Sequence, residues 1–299
     1  MMEFDTICGT VAIVGRPNVG KSTLMNHLIG QKLSITSRKA QTTRHQVMGI
    51  WTEGETQVVF VDTPGIHTGG KRALNRYLNK AASNALQDVD LVVWLLERDK
   101  FTDQDAHVEK QVCESGKPVI IALNKFDQVH DKAKLMPVAQ KMQMRFPNAE
   151  IVPLSALKGF NQDTLMSLIT AQMPKGPFMF DPDQLTDKSL RFLVAEIVRE
   201  KLVRQCGDEL PYRTTVEIEK FEETPERCFI HACIYVERKS QKPILIGNQG
   251  SRLKQIGTEA RLDAAELIGL PVHLELWVKV RDRWSDDEAA LAQLGYKDP

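Results

Sequence analysis

The octapeptide from Gly15 to Ser22 constrains this 299-residue chain more than any other feature. It reads GRPNVGKS and matches the pattern G-x-x-x-x-G-K-S, whose glycines let a backbone fold tightly around a polyphosphate. An apolar, β-branched run at 10–14 precedes it, and apolar residues with helical spacing follow it over 21–29. A strand, a glycine-rich loop and a helix in this order are the setting that a phosphate-binding loop requires.

The octapeptide and the next residue therefore predict a polyphosphate site. Backbone N–H groups and the start of the following helix would form the anion cradle. Lys21 would add a positive charge, and the Ser22 hydroxyl could ligate magnesium. The predicted phosphate-binding residues are Gly15, Arg16, Pro17, Asn18, Val19, Gly20, Lys21, Ser22 and Thr23.

The first 174 residues predict a doubly wound α/β domain. Short apolar runs at 58–61, 91–96, 119–123 and 151–154 are typical of strands buried on both faces of a parallel sheet. Amphipathic stretches near 71–87, 102–115, 131–145 and 161–172 predict helices between them. The segments 46–53 and 56–62 predict an antiparallel hairpin on the edge of this sheet.

The rest of the chain divides into three parts. Residues 175–187 are rich in proline and predict a linker. Residues 188–284 show signals in the order α-β-β-α-α-β, which predicts a smaller α+β domain. Residues 285–299 form a tail with a short helical pattern that ends near Tyr296.

A second nucleotide motif, Asp62-Thr63-Pro64-Gly65, ends an apolar strand. A carboxylate at this place can hold magnesium through water, and the Gly65 N–H can reach a γ-phosphate. Either Thr42 or Thr43 should supply another metal-binding hydroxyl, and we prefer Thr43. The predicted magnesium residues are Ser22, Thr43 and Asp62.

A third motif, Asn124-Lys125-Phe126-Asp127, also follows a strand. The Asp127 carboxylate can accept hydrogen bonds from the N1–H and 2-amino groups of guanine. Adenine lacks both donors and would leave that carboxylate unpaired. Asn124 and Lys125 would support the loop and cover the base, and the pair Ser155-Ala156 could offer a backbone N–H to the guanine O6.

In the smaller domain, the tetrapeptide Gly247-Asn248-Gln249-Gly250 lies between two predicted helices. It resembles the GxxG loop of KH domains, and the element order matches the type II topology. The resemblance implies RNA binding, with a nucleic-acid backbone close to the glycines and bases in an apolar groove. Ile244, Ile246 and Ile256 are the candidates for apolar contact with bases, and for at least two of them we prefer core packing. The predicted RNA-binding residues are Ile244, Gly247, Asn248, Gln249, Gly250, Arg252 and Lys254.

Composition restricts how RNA could be held. Lys and Arg number 39, and Asp and Glu also number 39. Neither half of the chain is strongly basic, so any RNA contact must use local patches. Five cysteines form no C-x-x-C pair, and no apolar run approaches a membrane-spanning length. A cytoplasmic protein with reduced thiols is therefore the expectation.

The motifs GRPNVGKS, QTTRH, DTPG and NKFD resemble those of the translation-factor-related GTPases. Together with the C-terminal unit they closely resemble the Era family of bacterial GTPases, from Thr10 to Trp284. This resemblance implies a monomeric, magnesium-dependent GTPase that binds 16S ribosomal RNA and acts in assembly and rRNA maturation of the small (30S) ribosomal subunit.

One position departs from the Ras pattern. Ile66 stands where Ras-like enzymes place a water-orienting glutamine. The family resemblance implies that Asn18 helps to hold a potassium ion beside the phosphates instead. A loop-stabilising role for Asn18 is the alternative.

Three other functions stay open at this level. They are a passive RNA-binding chaperone, a P-loop ATPase, and a regulatory GTPase in peripheral contact with the inner membrane.

Overall fold

The computed structural model describes residues 5–37, 43–64, 73–98, 100–129, 131–207 and 210–296, without the side chain of Pro211. Four residues discussed above, Gln41, Thr42, Gly65 and Ile66, lie outside these ranges. Every helix within the ranges is too short or too polar to cross a membrane. The five cysteines are free thiols, of which only Cys113 is exposed.

A six-stranded sheet organises the first domain. Its spatial order is β2-β3-β1-β4-β5-β6, and β2 alone runs antiparallel to its neighbour. The strands are β1 (Ile7–Val14), β2 (Val47–Glu53), β3 (Thr56–Asp62), β4 (Leu91–Glu97), β5 (Val119–Asn124) and β6 (Glu150–Pro153). The predicted edge hairpin is therefore present as β2 and β3.

Helices cover both faces of this sheet. They are α1 (Lys21–Ile29), α2 (Ala73–Asn84), α3 (Asp103–Ser115), α4 (Leu135–Arg145) and α5 (Gln162–Thr170). Alternate side chains of β1 point to opposite faces, as a pleated strand requires. Val11 and Ile13 join the core under α1 and α5, whereas Ala12 and Val14 join the core under α2, α3 and α4. The predicted doubly wound α/β class is confirmed.

The sheet order fixes where a ligand can bind. Strand β1 lies between β3 and β4. The chain runs from β1 to β2 and β3 on one side of it, and then returns through α2 to β4 on the other side. In open α/β sheets this switch point creates a crevice at the carboxyl ends of the strands. The octapeptide follows β1 at this edge, Asp62 ends β3, and Asn124 ends β5.

The linker at 175–187 is bound along the edge of the first domain. The buried side chain of Gln57 holds it in place. Gln57 Oε1 accepts from the backbone N–H groups of Met179 (2.9 Å) and Phe180 (3.0 Å), and its Nε2 donates to the Phe180 carbonyl at 3.0 Å. The backbone N–H of Ile50 also donates to the Leu185 carbonyl. Composition predicted a linker, but not that it would be fixed to the sheet.

The second domain has the predicted order of elements. They are α6 (Leu190–Gln205), β7 (Thr214–Glu223), β8 (Cys228–Val236), α7 (Gln241–Ile246), α8 (Ser251–Ile268) and β9 (Val272–Val280). The sheet order is β7-β8-β9, with β7 antiparallel and β9 parallel to β8. Apolar residues of α6 and α8 pack on this sheet and form its core. This confirms the predicted α+β architecture.

The tail folds back onto the first domain. Its short helix α9 (Glu288–Gln293) begins after Asp287, whose side chain accepts from the backbone N–H groups of Ala289 and Ala290. Trp284 is fully buried, while Trp277 is 40% exposed. The apolar side of the tail packs against α2.

Candidate functional site

Two glycines let the octapeptide approach the ends of its neighbouring strands. Gly15 has φ +151°, and a Cβ atom there would lie 2.7 Å from the carbonyl oxygen of Leu95 in β4. Gly20 has φ +113°, and its Cβ would lie 2.3 Å from the Asn124 amide nitrogen. No other residue fits such contacts, because Cβ atoms do not approach heavy atoms this closely. The loop is therefore held against β4 and β5.

Lys21 begins α1 and is buried within this loop. Its Nζ donates to the carbonyl oxygens of Gly15 (2.9 Å) and Arg16 (3.3 Å). Burial lowers the pKa of Lys21 to about 8, although the nearby Asp62 carboxylate opposes that shift. A phosphate placed in the loop would stabilise the charged form of the amine.

The three predicted magnesium residues meet in one place. Ser22 Oγ lies 2.9 Å from Thr43 Oγ1 and donates to Asp62 Oδ2 at 2.7 Å. Thr43 Oγ1 lies 3.4 Å from the same carboxylate oxygen. Ligands at adjacent positions around an octahedral Mg²⁺ are about 3 Å apart, so the two hydroxyls are suitably spaced to share one ion. The set fits magnesium.

The Asp62 carboxylate has an unusual environment. It is completely buried, and burial raises its pKa, while the charge of Lys21 and the hydroxyl of Ser22 oppose the shift. Its Oδ1 atom has no hydrogen-bond partner among the described residues. A buried carboxylate oxygen is costly without a partner, and a hydrated cation in front of Ser22 would remove that cost.

Asn124 ties the phosphate loop to the predicted base-binding loops. Its Nδ2 donates to the Val19 carbonyl at 2.7 Å, and its Oδ1 accepts from the Ala156 backbone N–H at 2.9 Å. We predicted that the pair Ser155-Ala156 could offer a backbone N–H to the guanine O6; in this structure the Ala156 N–H donates to Asn124 and the Ser155 N–H donates to the Phe160 carbonyl. Ser155 Oγ donates to Asp127 Oδ1 at 2.5 Å, and Asp127 itself is exposed to solvent.

The phosphate loop and the Asn124–Asp127 motif line a single cavity of about 1060 Å³, and Asp62 of the second motif contacts its lining residue Ser22. This volume is close to the upper end of the roughly 300–1,000 Å³ typical of ligand sites. Gly15, Arg16, Val19, Asp62 and Ser155 are not among its lining residues. The predicted residues that line it are Pro17, Asn18, Gly20, Lys21, Ser22, Thr23, Thr43, Asn124, Lys125, Asp127 and Ala156.

Glu97 was not predicted from the sequence, yet it joins two of the motifs. It pairs with Arg16 of the phosphate loop and with Lys125 Nζ at 3.2 Å. Burial alone would raise the pKa of Glu97, but Arg98, Lys125 and Arg16 together hold it below its ordinary value. The available signal was a carboxylate placed directly after the apolar run of β4, at the edge where the motifs meet.

The second domain also reaches this cavity, which the sequence did not indicate. Thr36 and Arg204 both line it. Arg204 of α6 donates to the Thr36 carbonyl and hydroxyl at 3.1 and 3.0 Å. The fully buried Glu200 accepts from the Thr36 backbone N–H at 3.0 Å and pairs with Lys32 at 2.5 Å. Lys32 also pairs with Asp263 of α8 at 2.8 Å.

The GxxG tetrapeptide forms a tight turn between α7 and α8. Gly247 has φ +76°, and a Cβ there would lie 2.9 Å from the Arg252 Cβ. Gln249 adopts a left-handed conformation with φ 49°, and Arg252 donates to the Ile244 carbonyl. Of the predicted base-contacting isoleucines, Ile244 is 53% exposed, Ile246 packs on the core, and Ile256 is fully buried.

A groove of about 430 Å³ lies beside this turn. Its apolar wall comes from Leu253, Leu274 and Leu276, which the sequence did not single out. Ile246 and Ile256 pack in the core, which is the role we expected for at least two of the isoleucines, and α8 presents Leu253 to the groove. Gly257 keeps the groove open next to Leu276, since a Cβ there would lie 3.3 Å from the leucine. Gly250 and Lys254 line the same groove.

Known families match both domains. A family described as "50S ribosome-binding GTPase" matches residues 10–125, and one described as "KH domain" matches residues 209–285. GTPase Era of Pseudomonas fluorescens (strain Pf0-1) is 56% identical over 293 residues, covering 98% of each chain. GTPase Era of Azotobacter vinelandii is 55% identical over 291 residues, covering 97% of each chain.

Two solved structures share the whole architecture. One is Era in complex with MgGDPNP and nucleotides 1506–1542 of 16S ribosomal RNA, with TM-score 0.93 and 38% identity. The other is an Era variant of Aquifex aeolicus bound to GDP and AlF4−, also with TM-score 0.93 and 38% identity. In both cases the match covers 97% of this chain and 99% of the other.

The lowered pKa of Lys21 predicts that GDP binding takes up protons. With a pKa of about 8, the amine is half deprotonated at pH 8 in the free protein and recharges beside the phosphates. We expect uptake of about half a proton per GDP at pH 8.0 and about a tenth at pH 7.0. Calorimetry in two buffers of different ionisation enthalpy measures this number.

Lys110→Met serves as the control, because it removes an exposed lysine of α3. This variant should take up as many protons on GDP binding as the unmodified protein. Absence of proton uptake at pH 8.0 in the unmodified protein would contradict this prediction.

Proposed function

The chain belongs to the Era family of GTPases, and we propose that it couples GTP hydrolysis to binding of 16S ribosomal RNA during assembly and rRNA maturation of the 30S subunit. One observation carries the proposal. Two motifs far apart in the sequence line one nucleotide-sized cavity, and the domain that carries the GxxG turn and its groove contributes Arg204 of α6 to the lining of that cavity. The relative of known structure holds a GTP analogue and a 16S rRNA segment together.

At the phosphate end, the residues of this chain bind and orient the nucleotide. Loop N–H groups and Lys21 would hold the phosphates, as the helix N-terminus favours anions. Ser22 and Thr43 would ligate magnesium, with Asp62 acting through water. When bound, the ion neutralises charge on the β and γ phosphates. A contact from Gly65 to the γ-phosphate belongs to the same proposal.

Asn18 is our proposed potassium-binding residue. It lines the cavity together with Lys21 and has a left-handed backbone with φ 63°, which asparagine tolerates better than most residues. Its side-chain oxygen is a suitable ligand for a hard cation. A positive charge beside the phosphates would take the place of an arginine finger.

We expect GTP hydrolysis to be about tenfold faster in potassium than in sodium at equal ionic strength, by the electrostatic effect just described. Asn18→Ala should abolish the difference, measured as steady-state phosphate release. The control Asn148→Ala, at an exposed position away from the cavity, should keep it. Equal rates in both salts for the unmodified protein would rule out this role.

At the base end, Asp127 should select guanine. Its carboxylate is exposed, lines the cavity, and is oriented by Ser155 Oγ. Asp127→Asn replaces an acceptor with a donor, which would suit the 2-oxo group of xanthine. We expect GDP affinity to fall at least about a hundredfold and xanthosine diphosphate affinity to rise, measured by competition binding.

Asp163→Asn is the matched control, since it removes an exposed carboxylate from the first turn of α5. It should leave both affinities unchanged. If Asp127→Asn lowered the affinity for both nucleotides equally, Asp127 would support the loop without reading the base.

At the RNA end, the GxxG turn would approach the sugar–phosphate backbone. Arg252 and Lys254 follow the turn on α8 and supply local positive charge in a chain without net charge. Leu253, Leu274 and Leu276 provide an apolar wall on which bases can lie. KH domains use this combination of a glycine turn and an apolar groove for single-stranded nucleic acid.

Adding negative charge at this turn should weaken RNA binding. The double variant Asn248→Asp, Gln249→Glu changes charge without changing size. We expect about a tenfold loss of affinity for an oligonucleotide from the 3′ end of 16S rRNA, because phosphates dominate such contacts. Filter binding or fluorescence anisotropy at fixed salt measures it.

Asn148→Asp is the control, because it adds a negative charge on the first domain, one charge against the two of the double variant. GDP affinity should be unchanged in both variants. Unaltered RNA affinity in the double variant would exclude the turn as the RNA contact.

The place of action is proposed on the same basis. The protein would act as a monomer that binds the 30S subunit in the cytoplasm, with the groove beside the GxxG turn in contact with the RNA. Peripheral contact with the inner membrane stays a prediction, which sedimentation with liposomes can check.

A further inference from the structure

Tyr296, the fourth residue from the end of the sequence, is buried. Its ring stacks on His45, with centroids 4.4 Å apart and planes at 24°. It also contacts Trp284 at 6.1 Å and meets Tyr77 of α2 edge-on at 5.8 Å. One side chain of the tail thus contacts the segment at 43–45, the helix α2, and Trp284 at the end of the second domain.

Arg44 fixes the same segment to the second domain. Its side chain is almost completely buried. Its Nη1 donates to the Thr214 carbonyl of β7 at 2.8 Å and to the Tyr296 hydroxyl at 3.4 Å, and its guanidinium lies over Trp284. The Tyr296 hydroxyl is also 3.3 Å from Thr215 Oγ1. Arg44 is therefore enclosed by β7 and the tail.

His45 adds aromatic contacts. Its ring is stacked on the ring of Tyr296 and meets Phe192 of α6 edge-on at 5.2 Å. Aromatic pairs of this kind contribute about 0.5–1.5 kcal/mol beyond their buried area.

Thr43 directly precedes these two anchored residues. Consecutive Cα atoms are about 3.8 Å apart, so fixing Arg44 and His45 leaves the Thr43 hydroxyl little freedom. That hydroxyl lies 2.9 Å from Ser22 Oγ, which is the spacing suited to a shared magnesium ion. The docked tail thus coincides with a metal-ready position of Thr43.

The tail also holds α2, the helix that follows the Asp62 motif along the chain. The Leu74 N–H donates to the Ser285 carbonyl at 3.2 Å, and Arg76 pairs with Glu288 at 3.0 Å. Leu78 packs against the apolar side of α9. Segments from both sides of the metal set therefore rest on the tail.

We propose that Tyr296 is a positioning residue that holds Thr43 at the magnesium, so that docking of the tail and binding of magnesium with a nucleoside triphosphate favour each other. The inference rests on the proposed role of Thr43 as a metal ligand. In GTPases such a contact forms with the γ-phosphate and is released after hydrolysis. The tail should therefore favour the triphosphate over the diphosphate, and linkage makes the effect reciprocal.

The first test is nucleotide selectivity of the full chain. In Tyr296→Ala, affinity for a magnesium-bound, non-hydrolysable GTP analogue should fall about tenfold, within the usual range of coupling between sites, while GDP affinity changes less than about twofold. Tyr296→Phe keeps the stacking and should lose less. Tyr235→Ala truncates a comparable, half-buried ring on β8 and should leave the selectivity unchanged.

The second test uses the unmodified protein and needs no variant to fold. Hydrogen exchange of the amides of Leu291, Leu294 and Tyr296, which are hydrogen-bonded within the tail, should slow when the magnesium-bound analogue is added. GDP should slow it much less. Equal protection by the two nucleotides would overturn the proposal.

Thr43→Ala separates this inference from the metal assignment. If it abolishes the preference for the analogue while Tyr296→Ala keeps it, the metal site stands and the role of Tyr296 is wrong. If Thr43→Ala leaves the affinity unchanged, the metal assignment is wrong and the inference falls with it. Loss of selectivity in both variants supports the proposal.

Discussion

The side-chain amide of Asn124 is the contact on which the nucleotide cavity depends. It donates to the phosphate loop at Val19 and accepts from the loop at Ala156, from a buried position at the end of β5. Gly20 makes room for it, since any Cβ would collide with the amide. Because a buried amide is costly unless its hydrogen bonds are made, the three loops are stable together and not separately.

Ion pairs and hydrogen bonds of a buried carboxylate then connect this cavity to the second domain. Glu200 is fully buried and is balanced by Lys32 and Arg204 while it holds the Thr36 backbone. Breaking a buried ion pair is more costly than the pair is stabilising, so such a network favours one domain arrangement over others. The tail supplies the second link, through Tyr296 and Arg44. Two sets of contacts, besides the bound linker, thus connect the nucleotide cavity to the second domain.

Sequence reasoning predicted the regular elements within a few residues, because strands buried on both faces and amphipathic helices leave strong periodic signals. It also predicted that Lys21, Asp62 and Asp127 belong to one site; Lys21 and Asp127 line the same cavity, and Asp62 accepts a hydrogen bond from Ser22, which lines it too. It expected core packing for at least two of the isoleucines near the turn, and Ile246 and Ile256 do pack there, but it did not find Leu276 or Gly257 in the groove. Which side of a helix faces a groove depends on how the helix packs against its neighbours. The hydrophobicity of the sequence alone does not specify that packing.

The sequence by itself determined the phosphate loop, the strand ends that carry the motifs, and the glycine turn between α7 and α8. Each of these features depends on a short run of neighbouring residues, because the types of those residues set the backbone geometry there. Only the tertiary structure decided that Glu200 binds Thr36 across 164 positions and that Tyr296 reaches Arg44 across 252. Contacts between distant segments arise from the packing of whole domains, and no local pattern of charge or hydrophobicity specifies which partner will be near.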